Sequence, residues 1–306
     1  MDAYQSPTAD LAYSDEPPVL LIASGDEATR VARRAIEASS YRIGATLPIE
    51  AARERIAIQP KASAVWLEID SDAGAPMDAL VGQVARDVED GRYGAVVSTT
   101  GLMIDRLFAL LGDCPVELIA DANETERVAA LATVTAQRQV ALGVAEAASD
   151  RNSERLRQLS EEMSRIASTL ARLSSGPVAT PPILDAARSS EAPPLSADVV
   201  RNVIRARRLR ARFFSEELFA DPAWDMLLDL LQAEIAQLRV PVSSLCIAAA
   251  VPATTALRWL KTLVGQGLFV RRADPHDGRR VFVELAPETS QALRRYFAEL
   301  GPAAVI

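Results

Sequence analysis

Short apolar runs rich in Val and Ile recur at 19–23, 41–46, 64–69, 95–98 and 116–120. The stretches between them, 27–38, 49–58, 77–89 and 102–111, space their apolar residues by three and four, the period of a helix with one buried face. Strand and helix therefore alternate, which predicts a parallel sheet covered by helices on both sides, and five strands predict a flavodoxin-like module over 18–122. From 128 the period changes to heptads. One series is Val128, Thr135, Leu142, Ser149, Leu156, Met163 and Leu170, and the other is Leu131, Arg138, Ala145, Asn152, Leu159, Ile166 and Leu173. This spacing predicts a coiled-coil helix over 123–173, with Leu156, Leu159, Met163, Ile166, Leu170 and Leu173 pairing two copies. A long amphipathic helix packed on its own domain is the alternative. Residues 174–198 carry Pro177, Pro181, Pro182, Pro193 and Pro194 among Ser and Ala, which predicts a linker.

Beyond the linker the pattern is again helical. Asp198 is placed to cap a helix that carries Arg201, Arg205, Arg207, Arg208, Arg210 and Arg212 without one acid. Arg201, Arg205, Arg208 and Arg212 recur at four, three and four and so share a face, either simply solvated or turned to an anionic partner. Asp221-Pro222 opens a second helix to 238; 242–250 forms a short one, with Ser243 as its cap; and a further helix runs from Pro252 to about 266. Two short helices across a tight turn form a helix-turn-helix, whose second helix enters the major groove. On that helix Ala256, Trp259, Leu260 and Leu263 point inward, and Thr254, Thr255, Arg258, Lys261 and Thr262 point out. Gly267 stops it, and 268–272 and 280–285 form a hairpin whose loop holds Pro275 and Asp277-Gly278. Arg271, Arg272, Arg279 and Arg280 lie on this wing, with Asp277 placed to orient a neighbouring guanidinium.

Composition adds three constraints. Of 306 residues 49% are hydrophobic and 24% charged, which excludes wholesale disorder and gives room for two folded modules. The net charge of −8 is uneven: 1–198 carries 18 basic and 30 acidic residues, 199–306 carries 15 and 11. An acidic front and a basic back fit nucleic acid meeting the back half alone. One His and two Cys cannot build a Cys/His zinc site, and a His-based triad would need His276. There is no G-x-G-x-x-G, phosphate-cradling Gly-Lys or G-x-S-x-G motif, so neither enzyme activity nor a cofactor or metal is expected. Residues 1–17 read as a disordered acidic tail without a signal peptide. The uncharged run 240–257 contains Pro241 and Pro252, which argues against a membrane span and for a cytoplasmic chain.

Two resemblances follow. The five strand runs resemble a response-regulator receiver domain, which implies an acceptor carboxylate on the third strand, metal-holding acids after the first and a cation near the fifth. Here the first strand ends Ala23-Ser24-Gly25-Asp26, the acceptor position falls on Glu68, Ser98 or Thr99 fills the hydroxyl position, and Ile119-Ala120-Asp121 supplies no Lys. The resemblance thus implies a phosphorylation-incompetent module. Glu68 and Asp70 are either plain acids at the sheet's carboxyl edge or part of a ligand- or partner-binding edge.

The run Gly267-Leu268-Phe269-Val270-Arg271, then Asp274-Pro275-His276-Asp277-Gly278-Arg279-Arg280, then Val283-Glu284-Leu285, resembles the wing of MarR-type winged helix-turn-helix regulators over 221–300. That resemblance implies Arg279 as the groove-inserting wing residue, Asp277 as its buttress, and Thr254, Thr255 and Arg258 as readers. Ala286 stands where the family usually has Thr, and dimer-forming terminal helices are not evident beyond 288–300, which shifts dimerisation to the coiled coil. The reading is a homodimeric regulator of double-stranded DNA, with a protein or small-molecule signal at the front module. The alternative is an interaction hub whose winged helix binds protein. His276 is an exposed loop residue, a phosphate contact or a pH sensor. Cys246 is core, and Cys114, before Pro115, is partly exposed and open to thiol sensing.

Overall fold

Residues 17–58, 62–143, 195–274, 277 and 280–300 are described by the computed structural model. The coiled-coil residues Leu156, Leu159, Met163, Ile166, Leu170 and Leu173, the acidic tail before 17, most of the predicted linker, and Pro275, His276, Gly278 and Arg279 lie outside them.

The apolar runs become strands β1 (Val19–Ala23), β2 (Ile43–Pro48), β3 (Ala64–Ile69), β4 (Gly94–Thr99) and β5 (Glu117–Ala120). They form one parallel sheet in the order β2-β1-β3-β4-β5. β1 and β3 are buried at every position, as a strand covered on both faces must be. Helices α1 (Asp26–Ala38), α2 (Ile49–Ala57), α3 (Ala75–Glu89), α4 (Ile104–Leu111) and α5 (Glu124–Gly143) supply the cover. Ala32, Ala35 and Ile36 of α1 and Ala130, Leu131 and Val134 of α5 close one face over Val19, Leu21, Trp66, Val96 and Ile119.

The start of the predicted coiled coil is thereby reassigned. Leu131 and Thr135, both heptad positions, are buried in this module, so the sequence from 124 to 143 serves first as its fifth helix. The fit is close: a Cβ on Gly94 would lie 2.4 Å from Val134 Cγ1, and glycine is what lets α5 approach β4.

The second module begins with α6 (Ala197–Leu209), followed by a 3₁₀ turn (Arg210–Arg212). Ser196, not Asp198, caps α6, because its side chain accepts from Asp198 N–H; Asp198 pairs with Arg201 at 2.8 Å. Next come α7 (Pro222–Ile235), β6 (Val240–Pro241), α8 (Val242–Ala248), α9 (Ala253–Gly265), β7 (Phe269–Ala273), β8 (Val281–Leu285) and α10 (Pro287–Leu300). Asp221 caps α7 through Trp224 N–H and Pro222 occupies its first turn, as expected. β6, which no sequence period announced, completes an antiparallel sheet β6-β8-β7. α8 and α9 meet at 109°, within the range of a helix-turn-helix. No single described helix is long and apolar enough to cross a membrane, and the uncharged run folds into β6, α8 and the first turns of α9.

The two modules share one apolar cluster. The second face of the parallel sheet, with Leu20, Leu67 and Val97, joins Phe108 and Leu111 of α4 and Leu118 of β5, and continues into Val242, Leu245, Leu257 and Leu260.

Candidate nucleic-acid interface

α9 is the helix expected to read DNA, and its inward face largely follows the prediction. Ala256, Leu260 and Leu263 are buried against their own domain. Trp259 departs from it and is 40% exposed, whereas Leu257, on the opposite side, is 3% exposed. The helix therefore buries two faces. Thr254, Leu257, Arg258 and Lys261 recur at three, one and three, so they form a second stripe one turn wide. The first module covers that stripe with α4 and with β5, the edge strand of its sheet.

The contacts are specific. Thr254 Oγ1 accepts from Ala120 N–H at 3.3 Å and donates to the Ala120 carbonyl at 3.2 Å, which satisfies a backbone unit of an otherwise unpaired strand edge. Arg258 holds Glu117 through both Nη2 at 2.6 Å and Nε at 2.7 Å. Lys261 Nζ donates to the carbonyls of Cys114 (2.9 Å) and Val116 (2.6 Å). Burial pulls the Lys261 amine below its ordinary pKa, and the Glu117 carboxylate is the leading opposing influence. A cleft lined by Phe108, Leu111, Leu118, Leu257 and the stems of Arg258 and Lys261 marks the seam.

The neighbouring elements are held likewise. Asp105 on α4 accepts from Ser243 N–H at 2.9 Å and from Ser243 Oγ at 2.6 Å. Ser243 is thus not the cap of α8: it lies inside the helix, and a carboxylate from the other module fills the capping role, where negative charge is favoured. On the wing, Arg271 pairs with Asp113 and lies over the Phe108 ring at 5.6 Å. Arg272 pairs with Glu284 at 3.3 Å within the hairpin, and Arg280 approaches Asp277 at 3.6 Å; Arg279, the arginine Asp277 was expected to buttress, lies outside the described residues. Arg280 and Asp277 face Asp72, Leu102 and Arg106 across a cleft of about 490 Å³. Thr262 is exposed and bonds back to the Arg258 carbonyl, and Thr255 is half-buried.

Of the expected DNA contacts, then, the structure brings Thr254, Arg258, Lys261 and Arg271 together against the first module. Thr262, Arg272, Arg205, Arg208 and Arg212 stay outside that seam, and Arg280 borders the cleft it shares with Asp72 and Arg106. The partners Phe108, Asp105, Asp113 and Glu117 went unmarked in the sequence. Leu257 carried the one available signal: an apolar residue on a helix face expected to be wet.

The site around Glu68, at the carboxyl edge of the parallel sheet, is closed by its own side chains. Glu68 is 5% exposed and accepts from Trp66 Nε1 (3.0 Å), Ser98 Oγ (3.0 Å) and Arg127 Nη1 (2.6 Å). Of the two hydroxyl candidates, Ser98 is the one that reaches Glu68, and the expectation that no cation would be present is corrected, because Arg127 reaches in from α5. A buried carboxylate needs such a partner, and this one is fully met. Asp70 stays exposed and accepts from Ser24 Oγ at 2.5 Å. Both thiols are buried, so Cys246 is core as expected and Cys114 is not partly exposed; burial pushes the Cys114 thiol up, away from the reactive thiolate. Among the described residues no group of three or more His, Cys, Asp or Glu could hold a metal ion.

No family model matches the chain, and no curated protein matches it. Among solved structures it is similar to a transcriptional regulator from Thermotoga maritima, at 21% identity over 35% of this chain and 78% of that one, with a TM-score of 0.21.

Proposed function

We propose that the chain is a DNA-binding transcriptional regulator whose winged helix-turn-helix is masked by its receiver-like module and is released by a signal acting on that module. One observation carries the reading. The side chains that helix position and chemistry place for bases and phosphates, Thr254, Arg258, Lys261 and Arg271, are the ones the first module occupies with backbone carbonyls and carboxylates. Carboxylates and carbonyls offer guanidinium and ammonium groups the kind of acceptor that phosphates and guanine edges offer. Glu117 and Asp113 thus stand in for a polyanion. The coiled coil, with Leu159 and Ile166 in its last heptads, pairs two such chains on a two-fold site.

Glu117→Arg places a like charge against Arg258 and Lys261 and opens the seam. In selection of bound fragments from a random duplex pool, the opened variant enriches a palindromic site, and its affinity for that site exceeds that of the parent chain at least tenfold. In the same background Arg279→Ala weakens binding on all sequences, whereas Arg258→Ala relaxes base preference. An opened variant that enriches nothing would leave the α9 stripe as a protein-docking surface, the hub reading.

A further inference from the structure

One cationic surface lies outside the masked seam. Arg205 and Arg208 on α6, and Arg212 in the 3₁₀ turn after it, are exposed and make no ion pair among the described residues. Arg201 shares their face, with Asp198 beside it. Of the two arginines off this face, Arg207, on the other side of the helix, is taken up internally by Asp225 at 2.6 Å. The exposed four line a single trough of about 540 Å³ with Gln232 and Asp229. Asp229 is the acid among the lining residues; burial raises its carboxyl above the ordinary range, Arg208 opposes that rise, and the four guanidiniums outnumber it.

Position matters as much as charge. A second cavity, of about 220 Å³, brings Arg208 and Arg210 beside Ala250, in the turn that leads into α9. The arginine face therefore flanks the start of the recognition helix. Among the described residues, the hydrogen bonds and ion pairs of the seam fall on α8, α9 and β7, and the residues lining the arginine trough all belong to the second module. Successive arginines on α6 rise by about 4.5 to 6 Å along the axis, and each guanidinium presents a planar fork that fits two phosphate oxygens.

We infer that the α6 arginine face binds the phosphate backbone of duplex DNA while the recognition helix is still masked, so that the closed chain is already attached to DNA, without base preference, before release. This deepens the masked-regulator reading and rests on it only for the second, base-reading step. Attachment in advance raises the local concentration of operator around α9, so release need only expose the helix, not recruit the protein.

The test uses the full chain with a random-sequence duplex, titrated by fluorescence anisotropy at several salt concentrations. Each phosphate contact contributes about 0.9 to the slope of log affinity against log salt. The combined variant Arg205→Ala, Arg208→Ala, Arg212→Ala should flatten that slope by about 2.7 and weaken binding at least tenfold at low salt. Arg295→Ala, an exposed arginine on α10, should leave both unchanged. An unaltered slope in the triple variant overturns the inference. So does a loss confined to phosphatidylserine vesicles, since the exposed Phe213 and Phe214 beyond the arginines would then mark a lipid-facing surface. The two readings fail separately. If the triple variant loses its salt-dependent binding while Glu117→Arg enriches no sequence, the arginine face stands and the masked reader falls.

Discussion

At the scale of single residues, exposure decides which seam contacts matter. The Arg258–Glu117 pair is close, but the Arg258 side chain is 48% exposed, and such pairs contribute about 0.2–1 kcal/mol. Lys261 is different: its amine gives two hydrogen bonds to carbonyls at the base of β5, and a charged donor's bonds contribute about 1.5–3 kcal/mol. Lys261→Ala should therefore loosen the seam more than Arg258→Ala, read as faster amide hydrogen exchange at 116–120; equal exchange in the two variants would mean that the amine is not seated.

The same scale yields a pH dependence. Burial first, then the Asp105 carboxylate, pushes the Cys246 thiol up to about 12, against an ordinary 9.0. Its folded pKa is raised, so its contribution to stability is full below pH 9.0 and is lost as pH climbs towards about 12, where ionisation favours the unfolded chain. Urea denaturation near pH 10.5 should show the parent chain losing up to about 2 kcal/mol more than Cys246→Ala does, relative to pH 8. Parallel pH profiles would place the thiol in contact with water.

At the scale of elements, what was legible in the sequence is what has a local period. Alternating runs gave all five strands and four of the helices of the first module, and Asp221-Pro222, Gly267 and Asp277-Gly278 gave the helix start, helix stop and hairpin of the second. Partners 134 to 147 positions apart, such as Ala120 with Thr254 and Cys114 with Lys261, have no period to betray them. Hence α9 read as a helix with one dry face, although Leu257 makes it a helix with two. The cap of α8 was hidden for the same reason: Ser243 looked sufficient, yet Asp105 arrives from α4. Glu68 read as an edge acid because its cation, Arg127, sits 59 positions away on a helix whose spacing resembled a coiled coil.

The cap also makes a prediction at this scale. Loss of an N-terminal cap costs about 0.5–2 kcal/mol, and here the cost falls on docking as well as on α8. Asp105→Ala should lower the unfolding midpoint of the chain and speed exchange at the Ser243 amide, while Asp105→Asn, which keeps a carbonyl acceptor, restores most of both. Failure of Asn to rescue would locate the effect in charge and not in the bond.

At the scale of the whole molecule, the uneven charge acquires a physical role. On the masked-regulator proposal, an acidic front module and a basic back module attract each other in one chain, where effective concentration is high, so a free duplex competes with a tethered rival. Apparent affinity for operator is then the intrinsic affinity multiplied by the open fraction, and a closed state favoured by about 3 kcal/mol holds it down roughly 150-fold. This sets a ceiling that distinguishes masking from simple relief of charge repulsion. Glu117→Arg and Asp105→Ala lie at different ends of the seam and should each raise operator affinity. Combined, they cannot carry it past the fully open value, so the double variant should gain less than the product of the single gains and level off. Adding Leu257→Ala, which removes the apolar anchor at a cost to docking of about 2–4 kcal/mol, should add little more. Titrations on one operator duplex at fixed salt would show this plateau. Gains that keep multiplying from variant to variant would mean that the substitutions act through net charge, and that the seam does not govern access to α9.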